Sequence, residues 1–229
     1  MQRRELLQGV TAAGATGVAG CLSRAGSGQD STVVLDPPGD RQFDSDELPY
    51  PAYGEALPDF SLPNPLSGER IATEDVDETL VVTGFFATCP AECVQLVGQL
   101  AGVQHGTVRD DIADEVRFLA ITFDPERDDA AALREYAARM EIDLDAGNWE
   151  FLRPRDADAA KRVVDERLGI TFDRVGAGES ARVEGYDFNH LSLTFLVNPA
   201  GYVERAYRTS QPDADVVLSD VQTVVERSG

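Results

Sequence analysis

Among its 229 residues the chain has a single lysine, Lys161, and only 20 basic residues against 41 acidic ones, for a formal net charge of -21. Binding to a phosphate backbone rests on basic patches, so this deficit argues against a nucleic-acid partner. Acidic residues with arginine in place of lysine resemble the composition of proteins from salt-loving microbes, where high ionic strength shortens the Debye length and screens self-repulsion. Histidine is confined to His105 and His190, and cysteine to Cys21, Cys89 and Cys93. A structural zinc site takes four protein ligands, which so few donors hardly supply. The apolar stretch near the N-terminus is too short and too glycine-rich for a permanent membrane helix, and there is no internal repeat. What is present, 42% hydrophobic residues in a chain of this length, suffices for a sizeable core.

The first residues, "MQRRELLQGVTAAGATGVAGC", start basic with Arg3 and Arg4, run through small and apolar residues and stop at a cysteine. This layout resembles a twin-arginine export signal joined to a lipobox, "VAGC", which predicts lipidation of Cys21 and an extracytoplasmic, membrane-anchored protein. Residues 22–56 are rich in Gly, Ser, Asp and Pro and read as a flexible tether, with "LPYPAYG" as the part suited to lie extended against a domain. The folded domain is expected over 57–229.

Within it, strand and helix signals alternate. "TLVVTGFF" (79–86) is an apolar, β-rich run of the kind buried in a sheet core, followed by an amphipathic pattern predicting a helix over 91–104. "EVRFLAITF" (115–123) repeats the strand signal, and helices are predicted over 128–140 and 156–169, the latter closed by Gly169. "LSLTFLV" (191–197), the turn "NPAG" and "YVERAYR" (202–208) read as a hairpin, with a last helix over 213–228. The class is α/β with a mixed central sheet flanked by helices. Asp124, Glu126 and Arg127 in "FDPERD" sit in a strand-to-helix loop where charge is ordinary and read as structural, the alternative being support of the site or a partner-docking edge, and Trp149 and Phe151 in "NWEFL" read as hydrophobic packing.

Cys89 and Cys93 fall where the buried strand ends and a helix begins, with Pro90 beside the helix start. A spacing of four brings both sulfurs to one face of the first turn, within reach of a disulfide or of one metal ion. Unsatisfied amides at a helix N-terminus favour the thiolate, and Glu92 between the cysteines opposes it, so a strongly depressed thiol pKa is not expected. His105 lies at or beyond the far end of that helix, roughly 15 Å or more away by helical rise, and reads as a surface residue.

"DFSLPNPLSGERIATEDV", "LVVTGFFATCPAEC", "FLAITFDPERDDAAALREYA", "NWEFLR" and "NHLSLTFLVNPAGYVERAY" together resemble the Sco/SenC family of thioredoxin-like copper-binding proteins that serve cytochrome oxidase assembly, over about residues 57–226. Val94 departs from the pattern, standing where many members have proline. The resemblance implies a thioredoxin-like fold and copper ligands at Cys89, Cys93 and His190. Thiolates select Cu(I), and an added imidazole makes the set acceptable to Cu(II). The function implied is that of a haloarchaeal-type lipoprotein metallochaperone. It would deliver copper to the copper-centre subunit of a terminal oxidase, or keep that centre's thiols reduced with electrons from a thiol reductant protein. The alternative is an extracytoplasmic thiol-disulfide oxidoreductase cycling Cys89 and Cys93 without obligatory metal. A thioredoxin-like peroxidase fits the paired cysteines less well.

Overall fold

The computed structural model describes residues 32–39, 43–175 and 188–228. The chain divides into two units, Met1–Asp30 and Ser31–Gly229, and every described residue belongs to the second. Arg3, Arg4 and Cys21 therefore lie outside the described residues.

The seven residues of β3 (Thr79–Phe85) are buried on both faces, which is why this stretch reads as an unbroken apolar run rather than an alternating one. β3 is the middle of a five-stranded sheet. β4 (Val116–Thr122) and β5 (Trp149–Leu152) continue it in parallel on one side. β8 (Thr194–Val197) and β9 (Val203–Tyr207) form the expected antiparallel hairpin on the other. The parallel neighbours need crossover connections. Helices α1 (Glu92–Arg109) and α2 (Ala130–Arg139) supply them, α2 being capped by Asp129, whose carboxylate accepts from the amides of Ala131 and Ala132. α3 (Ala157–Ala160) runs on into wider π-helical turns over Lys161–Arg167, and α4 (Ala214–Ser228) closes the chain. This mixed sheet with flanking helices is the thioredoxin-like architecture expected from the sequence.

α1 extends five residues past its expected end. Val103, Gln104, Gly106 and Thr107 are all buried, and at Gly106 the helix meets α4 so closely that a Cβ would lie 2.4 Å from Leu218 Cδ2. The segment "NWEFL" forms strand β5, and its aromatic rings do fill the core: Trp149 stacks on Phe118 at 5.1 Å and Phe151 packs against Phe85 at 5.5 Å.

Two small sheets carry no clear sequence signal. β1 (Ser61–Pro63) pairs with β2 (Arg70–Ala72), and β6 (Phe172–Arg174) pairs with β7 (Phe188–His190), each antiparallel and outside the main sheet.

The expected tether over 22–56 needs correction in its described part. Leu35 is buried and Ala56 bridges to Tyr202 on the flank of β9, outside "LPYPAYG", where the buried Tyr50 and Ala52 agree with the docking expected of that stretch. The fully buried carboxylate of Glu204 accepts from the amides of Val34 (2.7 Å) and Leu35 (2.9 Å) and from Asn198 Nδ2 (2.6 Å). Backbone amides in a desolvated spot need a partner, and a carboxylate 170 positions away in the chain provides it. The same segment runs beneath the end of the α3 turns. Gly169 adopts φ +66° there, and a Cβ on it would come 2.2 Å from Pro49 O.

Candidate metal and redox site

The turn between β3 and α1 is held from both sides at Ala87. Its amide donates to Asp128 Oδ2 (3.0 Å) and its carbonyl accepts from Arg139 Nη2 (2.6 Å). This places Cys89, whose own amide donates to Phe86 O at 3.2 Å, directly before the helix. Ala91, the residue preceding α1, has no side chain to cap the first turn. The Cys89 sulfur takes that role, accepting from the Cys93 amide at 3.4 Å and so satisfying one of the free N–H groups of a helix start. Cys93 is fully buried and Cys89 nearly so.

The third donor comes from outside the central sheet. His190 ends β7, and its Nε2 sits 3.4 Å from Cys93 Sγ. One donor atom from each of Cys89, Cys93 and His190 lies within 4.8 Å of the others, the only such cluster of potential metal ligands among the described residues. The ring is edge-on to Phe86 (centroids 5.9 Å) and tilted against Phe123 (5.3 Å). Its Nδ1 is buried and finds no hydrogen-bond partner among the described residues. His105, twelve positions beyond Cys93 on α1, is exposed and about 18 Å along the helix axis, outside this cluster.

The two sulfurs are electrostatically unequal. Hydrogen bonding from the Cys93 thiol, then from His190 and from the amides of residues 91 and 93, lowers Cys89 from 9.0 to about 4 against the opposing effect of burial. Burial drives the Cys93 thiol up, reinforced by its bond to Cys89 and by the neighbouring negative charge. The strong depression at Cys89 was not expected from the sequence. Glu92 acts on Cys93, and the main cause at Cys89 is the partner thiol. The pair thus rests as one thiolate and one thiol, suited to disulfide exchange, and with the imidazole it makes a soft three-donor set.

Several supporting residues escaped sequence reasoning. Asp128, buried and pushed up to about 6 by desolvation, and Arg139 fix the loop bearing Cys89, and Tyr136 donates its hydroxyl to Cys93 O (3.3 Å). Asp124, expected in structural service, is buried and paired with both Arg127 and Arg174, and the largely exposed Glu126 lies 3.9 Å from Arg174. Which acidic side chains of a charged loop are buried, here Asp124 and Asp128, leaves no mark in the sequence.

A thioredoxin-like sheet whose first strand-to-helix turn holds Cys-x3-Cys, faced by a histidine from a separate hairpin, defines a class of thiol-based metal or redox proteins. Residues 53–226 match the SCO1/SenC family, and the chain belongs to it. It is 24% identical over 159 residues to the SCO1 protein homologue of Bacillus subtilis, covering 68% of this chain and 76% of that protein. It also resembles the solved structure of BsSco, described as a member of the Sco family of cytochrome c oxidase assembly proteins with a disulfide switch (TM-score 0.59, 22% identity, 79% and 98% of the two chains). A further likeness is to Bradyrhizobium japonicum ScoI with copper bound (TM-score 0.59, 18% identity, 74% and 99%).

Proposed function

We propose that this chain binds one copper ion as cargo through Cys89, Cys93 and His190 and hands it to the copper-centre subunit of a respiratory cytochrome oxidase. The observation that carries the reading is the convergence of two sulfurs and one imidazole nitrogen within 4.8 Å. The donor chemistry fits copper: paired thiolates suit Cu(I), and the imidazole extends the set to Cu(II). The copper-bound Bradyrhizobium relative and the oxidase-assembly role stated for BsSco support the same reading. Lipid on Cys21, implied by "VAGC", would hold the protein at the outer face of the membrane.

A second reading is favoured by the unequal thiols. With Cys89 as thiolate and Cys93 protonated, the pair is poised for thiol-disulfide exchange with an oxidase thiol or with a thiol reductant protein. Disulfide formation from this thiolate and thiol passes two electrons to the disulfide of the exchange partner, releases one proton and removes both sulfurs as thiolate ligands, so reduction must precede copper loading.

Copper titration of the reduced protein and of His190→Ala separates the two readings. The wild type is expected to bind one Cu(II) with thiolate charge-transfer absorbance. His190→Ala should lose that band while still binding Cu(I) and still cycling its disulfide. Unchanged Cu(II) spectra in the variant would remove His190 from the ligand set and put the reductase reading ahead.

A further inference from the structure

The imidazole is carried on a part of the fold that the central sheet does not hold. β6 and β7 form a two-stranded ribbon in which Phe172 pairs with His190 and Arg174 with Phe188. Side chains alternate faces along a strand, so these four share one face of the ribbon, while Asp173 and Asn189 point away and are exposed. A two-stranded ribbon is marginal by itself, and its place depends on what the inner face touches.

The apolar part of that contact is aromatic. Phe172 stacks on Phe123 at 4.7 Å and Phe188 meets Phe86 at 5.1 Å, the two rings that also flank His190. Such contacts favour burial but tolerate sliding. Nor does a hydrogen bond orient the ring through Nδ1, which has no partner among the described residues. A directed, charge-assisted contact comes from Arg174. Its Nη2 donates to Asp124 Oδ1 at 3.2 Å, and its guanidinium lies 4.8 Å above the Phe188 ring. Asp124 is itself fixed: its side chain is buried, its amide donates to Thr122 Oγ1 (3.0 Å), and Arg127 holds its other oxygen. One arginine therefore presses on the residue two before His190 and grips a rigid point at the end of β4.

We infer that Arg174 is a positioning residue, which through Asp124 and Phe188 sets the ribbon so that His190 faces Cys89 and Cys93. The inference rests on the copper reading for its consequence but not for its geometry. Losing Arg174 leaves Asp124 paired with Arg127, so the domain stays folded, while the ribbon keeps its aromatic contacts and the Nε2–Cys93 Sγ approach but loses the tie that fixes the imidazole's position over the thiols.

The test compares Arg174→Ala and Arg174→Gln with Arg109→Ala, a control that removes an exposed arginine paired with Asp110. Thermal melts establish that each is folded, and Arg174→Gln, which keeps part of the side-chain stem over Phe188, serves if the alanine variant is not. In the metal-free protein the His190 ring protons should be displaced by the currents of Phe86 and Phe123. In the Arg174 variants they should move toward free-histidine values, and in the control they should not. Cu(II) affinity should fall about twofold to fivefold, the scale of one partly exposed ion pair, with Cu(I) affinity less affected because both thiolates remain. Unmoved His190 resonances overturn the positioning role. Moved resonances with undiminished Cu(II) affinity uphold it and instead refute His190 as a copper ligand.

Discussion

Replacing Cys93 by alanine tests the electrostatic account of the thiol pair. In the native turn Cys89 titrates at about 4 rather than 9.0, with the Cys93 thiol as the foremost cause. A hydrogen bond to a charged acceptor contributes roughly 1.5–3 kcal/mol. Since one pKa unit corresponds to about 1.4 kcal/mol, removing this donor should raise Cys89 by about 1–2 units. The remaining donors, His190 and the amides of residues 91 and 93, keep it well below its ordinary value. The assay is the pH dependence of ultraviolet thiolate absorbance in the reduced, metal-free protein, checked by the alkylation rate of Cys89. The sign of the stability effect follows from the same shift. The folded pKa lies below the unfolded one, so ionisation of Cys89 favours folding, fully above 9.0, and this contribution is lost as pH falls through about 4. Cys93, raised when folded, acts oppositely above 9.0, where the unfolded chain ionises and the folded one resists. The Cys89 contribution in the reduced wild type should therefore grow between about 4 and 9.0, offset up to about 6 by Asp128, whose raised carboxyl costs stability as it ionises, and in Cys93→Ala the Cys89 contribution should grow less, by the roughly 1.5–3 kcal/mol above. An unchanged Cys89 midpoint in the variant, or a wild-type midpoint near 9.0, refutes the argument.

Glu204→Ala should strand the amides of Val34 and Leu35 and leave Asn198 Nδ2 with Thr32 O as its remaining acceptor. Denaturant unfolding is expected to show a loss of about 2–4 kcal/mol, and limited proteolysis should cut the chain between 32 and 56, where an uncut segment would count against Glu204 holding that segment to the domain. Cys21→Ser should move the protein from the membrane fraction to the soluble one. Membrane retention equal to wild type would sink the lipid anchor.

The parts of the fold legible in the sequence are those in which one segment carries its own periodicity. β3 and β4 announce themselves as apolar runs and α4 as an amphipathic repeat, because burial imposes its pattern within a single element. The docking of the N-terminal segment was hidden because its partner, Glu204, belongs to another element far along the chain. Apart from "LPYPAYG", local composition spoke for a polar, proline-bearing linker. The β6–β7 ribbon was hidden for a related reason: three residues are too few to show alternation, and its strands are separated by residues 175–187.

That last gap bears on the site itself. The spacing of Cys89 and Cys93 was readable because both lie on one turn at a strand-to-helix junction, but the approach of His190 was reached only through resemblance to a family. The thiols depend on the central sheet, through Ala87 held by Asp128 and Arg139. The imidazole depends on a ribbon outside that sheet, packed on Phe86 and Phe123 and tied through Arg174. Because the two halves rest on separate supports, a substitution can disturb one and spare the other. Thiol exchange needs only the first half, and a three-donor metal set needs both, so the two chemistries are separable by mutation within one fold.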